Sequence, residues 1–421
     1  MIYLDDNATT PLCHQARAAM LPFFDEKFGN ASSIHAAGRE ARAAIDDARD
    51  RLAGLLGVEP HELIFTGGGT ESNNLAILGL ARSRSARGRH LISCRTEHHA
   101  VLNAIEHLEK REGFEVTWLN VSESGFVDLE QLAAAIRDDT ALVSIMHANN
   151  ETGVIQPLDE VSRICRARGV LLHSDMVQSF GKLPSPRDVV AAVRPRRPTR
   201  GTGNPTAAED GGSYNGSGFS DCVSLVDAAS FAAHKFYGPK GAGLLFLRSG
   251  IPIEATQFGG AHENQRRPGT ENVAAIAGMA AAAEFALRDV AAELEREREL
   301  RDQLWREISE RVPKAIVNGD NSNRLANTLN ISLPQLDSET MLMALDLEGV
   351  CASSGSACMV GSVVASHVLL AMGLPLARAR SAIRFSLGRN TRADEIRAAA
   401  RIVGDIIQRT NAKPAAPALA S

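Results

Sequence analysis

Short apolar segments alternate with amphipathic segments between residues 62 and 247, and this alternation constrains the fold more than any other feature. The amphipathic segments, such as residues 129–137 and 158–168, repeat apolar side chains every three or four positions, the spacing of a helix. Alternation on this scale predicts an α/β fold in which helices cover both faces of a mainly parallel sheet. We expect strands at residues 63–65, 90–93, 116–119, 142–146, 170–173 and 243–247.

Residues 284–312 follow this region, and they are highly charged with a loose apolar stripe, which predicts one long helix. A helix of this length suits a bridge to a second, smaller domain. Beyond it we expect a strand at residues 328–332 and helices at residues 340–348 and 393–408.

Two segments lack any periodic pattern. Residues 195–220 are rich in Gly, Pro, Ser and Arg, and they lie within an expected insertion of about residues 185–228. The tail is rich in Pro and Ala and is expected to be disordered. The predicted division is a large domain of residues 15–289, a small α+β domain of residues 1–14 and 290–412, and a tail of residues 413–421.

The composition argues against several classes of protein. The 421 residues are 44% apolar and 23% charged with a net charge of -5, an ordinary globular balance without the basic excess of a nucleic-acid binder. Six cysteines without a CxxC pair predict reduced thiols and a cytoplasmic protein. The N-terminus lacks the pattern of a signal peptide, and no apolar run reaches the roughly 20 residues of a membrane helix.

The run Gly-Gly-Gly-Thr-Glu at residues 67–71 follows a predicted strand and opens a predicted helix. Glycines let the backbone approach an anion, and the free N–H groups of a helix N-terminus bind phosphate. Thr70 is placed to cap this helix. A plain Gly-rich turn explains the run about as well, and a P-loop is excluded because no Gly-Lys-Ser/Thr follows.

Two further candidates lie later in the chain, and the first, Asp175, follows a predicted strand at the sheet edge where α/β proteins bind ligands. Asp175 could pair with a protonated ring nitrogen, although a helix cap is an equally sound explanation. Lys235 has His234 beside it and a Gly/Pro turn after it. A lysine buried in a cofactor pocket has a lowered pKa and forms Schiff bases, whereas most lysines are solvated surface charges.

Cys358 lies in a loop of small residues between Gly355 and Gly361. We expect such a loop to be mobile and exposed. An exposed cysteine that reaches a site is a candidate nucleophile, and an idle loop cysteine is the alternative. Cys222 is interpreted as incidental. The cysteines in apolar or periodic contexts are expected to be structural: Cys13, Cys94, Cys165 and Cys351.

Nine short motifs occur in one order along the chain, and together they are far more specific than any one of them. They closely resemble the cysteine desulfurases, of the type that serves nitrogenase and general iron–sulfur cluster assembly. The resemblance extends from residue 3 to about residue 410, apart from the loose segment of residues 195–220. The motifs are residues 5–11, 69–74, 96–98, 149–153, 174–178, 234–235, 267–272, 353–358 and 384–389.

The resemblance implies a homodimer of fold type I of the pyridoxal-phosphate enzymes. It assigns Lys235 the Schiff base with pyridoxal 5'-phosphate. Asp175 would keep the ring nitrogen protonated, which makes the ring an electron sink. Gln178 would donate to the ring oxygen beside the Schiff base, and His98 would stack on the ring and move protons.

The same resemblance assigns the ends of the cofactor and the substrate. Gly69, Thr70 and His234 would hold the phosphate, with Thr270 reaching in from the partner subunit. Asn150 would contact both cofactor and substrate. Arg384 would grip the carboxylate of L-cysteine with two hydrogen bonds.

Cys358 is the sulfur acceptor that the resemblance implies. Its thiolate would attack the substrate sulfur, so that L-alanine leaves and Cys358 carries a persulfide. The persulfide would pass to an iron–sulfur scaffold or another acceptor protein. No metal site is expected, apart from transient ligation of an iron–sulfur cluster by Cys358 at a scaffold partner.

Three features depart from the family pattern. Ala232 stands where a residue that hydrogen-bonds the phosphate is usual, which removes a contact worth about 1 kcal/mol. Residues 359–365 replace a more polar run, which bears on partner choice. About thirty extra residues between positions 184 and 230 form either a surface excursion or a docking arm.

Other functions stay open from the sequence. A selenocysteine lyase, or a desulfurase that feeds tRNA thiolation or cofactor synthesis, would use the same fold. A non-catalytic scaffold of cluster assembly is the alternative from another class. The joint presence of five reactive residues argues against it, since a scaffold has no need of Lys235, Asp175, His98, Cys358 and Arg384.

Overall fold

The structure, a computed structural model, describes residues 1–183, 219–334, 336–354 and 365–412. Its centre is a seven-stranded sheet in the order β2-β8-β7-β6-β5-β3-β4. Only β8 in this sheet runs antiparallel to its neighbours, so the predicted mainly parallel α/β sheet is confirmed. The strands are β2 (Leu63–Thr66), β3 (His90–Cys94), β4 (Glu115–Leu119), β5 (Thr140–Ser144), β6 (Leu171–Asp175), β7 (Ala228–Ala232) and β8 (Gly243–Leu247).

Helices cover both faces of this sheet, and most of its strands are therefore buried on both sides. On one face, Leu80 and Leu108 belong to a core cluster beneath two helices that pack together. On the other face, Ile45 and Met279 lie in a second cluster. The helices of this part are α1 (His14–Met20), α2 (Ala36–Leu56), α3 (Gly69–Ser83), α4 (His99–Glu112), α5 (Leu129–Ala135), α6 (Leu158–Ala167), α7 (Phe219–Ser224) and α8 (Val273–Leu287).

A smaller set of strands forms two further sheets, which join the C-terminal half of the chain to β1 at the N-terminus. It forms a three-stranded antiparallel sheet in the order β12-β10-β9 and a two-stranded parallel sheet of β1 and β11. Because β1 pairs with β11, the N-terminus lies beside the C-terminal half. These strands are β1 (Ile2–Tyr3), β9 (Ile316–Val317), β10 (Thr328–Ser332), β11 (Val350–Cys351) and β12 (Ala382–Ser386).

Most of the remaining helices pack around a separate apolar cluster that includes Leu304, Phe385 and Val403, and the two shortest contribute to a small cluster that includes Leu369 and Ala379. The predicted division into two domains stays a prediction, and the tail of residues 413–421 and most of the expected insertion lie outside the described residues. These helices are α9 (Val290–Arg311), α10 (Ser338–Leu347), α11 (His367–Ala371), α12 (Leu376–Arg380) and α13 (Ala393–Ala412).

The single long helix expected at residues 284–312 is wrong, because α8 and α9 are separate helices there. Asp289 lies between them in the left-handed region, with φ 53°. The Arg389 guanidinium donates to the carbonyls of Ala286 and Arg288 and so satisfies the end of α8. A break held by a side chain about a hundred residues later leaves no mark on local periodicity.

Strand β7 was not expected from the sequence. Its residues are mostly alanine, which has low strand propensity. Small side chains are needed here because α3 packs closely: a Cβ on Gly69 would lie 3.3 Å from the Cβ of Ala232. Within the described residues, no helix is long and apolar enough to cross a membrane.

Candidate active site

The candidate site lies at one edge of the central sheet. Strands β2, β3, β5, β6 and β7 all run in the same direction, so their carboxyl ends meet there. Asp175 is the last residue of β6, and Lys235 ends a 3-10 turn, Ala233–Lys235, directly after β7. This is the edge at which open α/β sheets bind ligands.

A cavity of about 380 Å³ opens at this edge. The structure brings together around it nine of the eleven site residues expected from the sequence. The nine are Gly69, Thr70, His98, Asn150, Asp175, Gln178, His234, Lys235 and Arg384.

Lys235 reaches the cavity with its amine held on two backbone carbonyls. Its Nζ donates to the oxygen of Asn7 at 2.6 Å and to that of Ala8 at 2.8 Å. Burial, followed by the positive charges of Lys182 and Arg384, lowers the pKa of Lys235 to about 7. About half of the amine is therefore unprotonated and nucleophilic at pH 7, far more than for an exposed lysine.

Asp175 is buried, and both of its carboxylate oxygens are held in place. Oδ2 accepts from Nδ2 of Asn73 at 2.6 Å, and Oδ1 accepts from the backbone N–H of Val177 at 2.9 Å. Each oxygen keeps a further lone pair for a ligand. Asp175 therefore does not cap a helix. Its contact with Val177 belongs to a turn, and its carboxylate faces the cavity.

His98 caps the N-terminus of α4, the helix that follows β3. Its Nδ1 accepts from the backbone N–H of Ala100 at 3.1 Å, so the neutral ring carries its proton on Nε2. Burial lowers the pKa of His98, and the nearby charge of Lys235 lowers it further against the opposing effect of Asp175. A neutral imidazole in this place can accept a proton.

Gln178 is buried, and both ends of its side-chain amide form hydrogen bonds. Nε2 donates to the carbonyl of Asn7 at 2.9 Å, and Oε1 accepts from Nζ of Lys182 at 3.0 Å. The Asn7 carbonyl therefore receives both the Gln178 amide and the Lys235 amine. The N-terminal segment thus forms one wall of the cavity.

Arg384 enters from β12 and is only 2% exposed. Its Nη1 donates to the carbonyl of Asn150 at 2.9 Å, and its Nη2 donates to Oδ1 of Asp5 at 2.7 Å. Its Nε has no hydrogen-bond partner among the described residues. A guanidinium has five N–H groups, so Arg384 retains donors for a carboxylate.

A more open cavity of about 880 Å³ adjoins the first at the N-terminus of α3 and shares Gly69, Thr70 and His234 with it. Gly68 has φ 151°, which a residue with a side chain rarely adopts, and it precedes the helix. The expected cap by Thr70 is wrong: the helix begins at Gly69, and the cap position has no side-chain bond. Free N–H groups at this end suit an anion.

His234 connects the two cavities. Its Nδ1 lies 3.2 Å from Oγ1 of Thr9, and burial, together with the charge of Lys235, lowers its pKa to about 4. A neutral His234 can donate one hydrogen bond to an anion without carrying a charge.

The chain has extensive similarity to known proteins. The family description "Aminotransferase class-V" matches residues 2–189 and 223–398. A protein named cysteine desulfurase IscS, from Dictyoglomus turgidum, is 44% identical over 408 residues, which cover 97% of this chain and 95% of the relative. The chain belongs to the cysteine desulfurase family of class-V aminotransferases. The gap in the family match falls within the expected insertion of residues 185–228.

Solved structures agree with this family and with its fold. A NifS-like protein has a TM-score of 0.83 and 33% identity, with 97% of this chain and 99% of that chain covered. A structure described as SspA in complex with cysteine has a TM-score of 0.73 and 31% identity, with 92% and 99% covered.

Of the two other expected site residues in this member of the desulfurase family, Thr270 lines neither cavity. Thr270 is exposed, and its predicted contact with the site of a partner subunit stays a prediction. Cys358 lies outside the described residues, whose chain stops at residue 354 and resumes at residue 365.

Sequence reasoning missed three residues of the site: Asn7, Asn73 and Lys182. Asn7 lies in the motif of residues 5–11 and Asn73 in that of residues 69–74, so the motifs contained both without a role. Lys182 lies four residues after Gln178, and only this helix-like spacing could have linked the two.

The cysteines that the structure describes fit inert positions better than reactive ones. Cys94 and Cys165 are buried, and burial raises the pKa of both thiols to about 12. Cys13 is buried, and Cys351 is half-buried within β11. Burial also raises the pKa of Cys222 to about 11, so this thiol has little thiolate at neutral pH.

Proposed function

We propose that the chain is a pyridoxal-phosphate enzyme that takes sulfur from L-cysteine, releases L-alanine and carries the sulfur on Cys358. One observation carries most of this proposal: the amine of Lys235, with its lowered pKa, shares a cavity with the buried carboxylate of Asp175. Membership of the desulfurase family supports the reaction. The related SspA structure in complex with cysteine supports the substrate.

The residues of the cavity fit pyridoxal phosphate. The Lys235 amine suits an aldehyde, the Asp175 carboxylate suits a pyridine nitrogen, and the glycine-lined N-terminus of α3 suits a phosphate. All three groups lie around the two connected cavities. When bound, pyridoxal phosphate supplies an aldehyde that bonds amines and a ring that takes up negative charge. Ala232, at the end of β7, lines the cavity without a hydroxyl, so phosphate binding depends on Gly69, Thr70 and His234.

Each side chain has a role that its environment supports. Lys235 would bond the cofactor and, with its amine free, would move the α-proton of the substrate. Asp175, whose carboxylate is fixed by Asn73 and Val177, would hold a proton on the ring nitrogen. Gln178 would donate from Nε2 to the ring oxygen, and the neutral imidazole of His98 would contact the ring and exchange protons.

Arg384 orients the substrate. Its buried guanidinium lines the cavity with Nε unpaired among the described residues, and a carboxylate is the partner that such a group binds best. Asn150 holds Nη1 of Arg384 by its carbonyl and lines the same cavity. L-cysteine would therefore bind with its carboxylate at Arg384 and its amine toward Lys235.

The sulfur transfer balances without an outside oxidant or reductant. The Cys358 thiolate attacks the sulfur of L-cysteine, an S–S bond forms, and the substrate C–S bond breaks. The electron pair of the C–S bond stays on the carbon, which takes up the proton released by the substrate thiol and becomes the methyl group of L-alanine. The role of Cys358 rests on the motif of residues 353–358.

A homodimer with shared sites is part of this proposal, and a mixing experiment tests it. If Thr270 completes the partner's site, a heterodimer of Lys235→Ala and Thr270→Ala subunits contains one intact site and one doubly altered site. Mixing the two inactive or weakened variants should then restore up to about a quarter of the wild-type activity, because random exchange makes half of the dimers heterodimers and each of these has one intact site of two. If Thr270 acts within its own subunit, mixing restores nothing.

The acceptor of the persulfide is proposed to be an iron–sulfur scaffold in the cytoplasm, which Cys358 could also meet through transient cluster ligation. Protein loaded with L-cysteine and used as bait should retain such a scaffold more strongly than unloaded protein. Preferential capture of a tRNA-thiolation protein would instead support that alternative.

The function itself is tested by measuring alanine and sulfide formed from L-cysteine in the presence of a reductant. Equal amounts of alanine and sulfide support desulfurase activity. Failure to form either product with cofactor-loaded protein would contradict it and favour the non-catalytic scaffold. A strong preference for L-selenocysteine over L-cysteine would favour the lyase.

A further inference from the structure

Lys182 is a second buried lysine behind the site, and no role follows for it from the proposed reaction. It is only 8% exposed. Its Nζ donates to Oδ1 of Asn7 and to Oε1 of Gln178, each at 3.0 Å. It therefore contacts Asn7, whose carbonyl accepts from the Lys235 amine, and Gln178, which donates to the same carbonyl, without lining the cavity itself.

These contacts fix which way the Gln178 amide points. A cation at Oε1 favours the oxygen on that side, so Nε2 faces the Asn7 carbonyl and the cavity. If the amide flipped, its NH₂ group would face the Lys182 ammonium, which is repulsive. Uncharged donors do not impose such a strong choice.

The same lysine fixes Asn7. Oδ1 of Asn7 accepts from Lys182 and from Nδ2 of Asn327 at 3.1 Å. This leaves Nδ2 of Asn7 to donate to Thr328 at 2.9 Å and to the carbonyl of Asn150 at 3.3 Å. With its side chain held from four directions, Asn7 keeps its backbone carbonyl at the Lys235 amine.

Charge adds to this geometry. Lys182 faces the carboxyls of Asp6 and Glu297 and the guanidinium of Arg384. Burial, the largest effect, lowers the pKa of Lys182, and the two carboxyls oppose this. Lys182 in turn faces Lys235, along with Arg384, Asp5 and Asp175. After burial, Lys182 is the largest influence that lowers the pKa of Lys235.

We propose that Lys182 is a positioning residue that fixes the Gln178 amide and the Asn7 carbonyl, and thereby the place and protonation of the Lys235 amine. The inference rests on the proposed function in that Lys235 is the reactive amine. It assigns a role in the site to a buried lysine that does not itself contact the substrate.

The test labels lysines in the cofactor-free full chain with acetic anhydride over a range of pH and follows Lys235 by peptide mass mapping. In Lys182→Met, the midpoint of Lys235 labelling should rise by about one pH unit, because a neighbouring positive charge is lost. The control Lys314→Met alters an exposed lysine and should leave the midpoint unchanged.

A spectroscopic comparison examines the path through Gln178. In the cofactor-loaded protein, Lys182→Met should shift the visible absorption band, because the Gln178 amide is no longer fixed. The same substitution in a Gln178→Ala background should cause a smaller shift, because only the effects through Asn7 and through charge remain. An equal shift in both backgrounds would overturn the proposed path.

Loss of Lys182 leaves buried carboxyls uncompensated and could prevent folding. In that case Lys182→Met combined with Glu297→Gln removes the cation together with one facing carboxyl, and the labelling midpoint should rise as before. An unchanged midpoint in either folded variant overturns the inference and leaves the proposed function standing. If Lys235 in the wild-type protein does not bond the cofactor, the proposed function fails instead.

Discussion

Arg384 donates from Nη2 to Oδ1 of Asp5 at 2.7 Å, although 379 residues separate them in the chain. The guanidinium is also held by the Asn150 carbonyl, so its plane is set before a substrate arrives. Arg384→Lys keeps the charge but loses the planar fork. We expect KM for L-cysteine to rise about tenfold while cofactor absorbance is unchanged, because about 1.4 kcal/mol of substrate binding is lost. An unchanged KM would show that the carboxylate binds elsewhere.

Asp175→Asn should bind the cofactor and yet be nearly inactive. The amide retains hydrogen bonds with its neighbours but cannot stabilise a proton on the ring nitrogen. Alanine formation should fall by about a hundredfold or more. The control Asp394→Asn changes an exposed carboxylate far along the chain and should have no effect. Near-normal turnover by Asp175→Asn would remove the assigned role.

The lowered pKa of Lys235 predicts how cofactor uptake depends on pH. Its amine is protonated below about pH 7 and free above it. The rate at which the cofactor-free protein takes up pyridoxal phosphate should therefore fall about tenfold per pH unit below 7 and level off above it. A rate that keeps rising to pH 10 would indicate an ordinary lysine and contradict the effect of burial.

The attachment point of the cofactor can be identified chemically. Borohydride reduction of the yellow, cofactor-loaded protein should mark the peptide with Lys235, and Lys235→Ala should lose the visible absorbance. The nearby exposed Lys240 provides the comparison, since it lines only the outer cavity. A mark on Lys240 would make the assignment of Lys235 wrong.

Much of the sheet and of the site could be predicted because the information is local. Five strand ends carry polar residues in short motifs, and Asp175 and Lys235 lie where the motifs put them. The rest depends on distant contacts. The break at Asp289 needs Arg389, and β7 needs the close approach of Gly69.

The Asn7 network was missed for the same reason. Asn7 meets Lys182, Lys235 and Thr328 across the fold, and none of these pairs is near in sequence. From the sequence alone, a lysine such as Lys182 is expected to be a surface charge, because its burial depends on tertiary contacts. Polar networks of this kind follow from tertiary structure rather than from periodicity.

The expected insertion provides a test of dispensability. The sequence predicts that residues 195–220 can be removed, but α7 begins at Phe219, and a Cβ on Gly57 would lie 2.6 Å from Ser220 Cβ. The deletion should therefore end at residue 218. Removing residues 195–218 should leave cofactor content and alanine formation close to wild type. Loss of folding or activity would show that this segment contributes to the core or the site.

The proposed function depends on the transfer of sulfur from L-cysteine to the thiol of Cys358. Cys358→Ala should fold and bind the cofactor normally, because a cysteine among small loop residues contributes little packing. Its alanine formation should nevertheless fall by orders of magnitude, whereas the control Cys222→Ala should match the wild type.

The most direct measurement is mass spectrometry of the wild-type protein treated with L-cysteine without reductant. We expect one additional sulfur atom on the peptide that contains Cys358, and none on the peptides that contain Cys13 or Cys222. An additional sulfur on Cys222 or Cys13 with an unmodified Cys358 would contradict it.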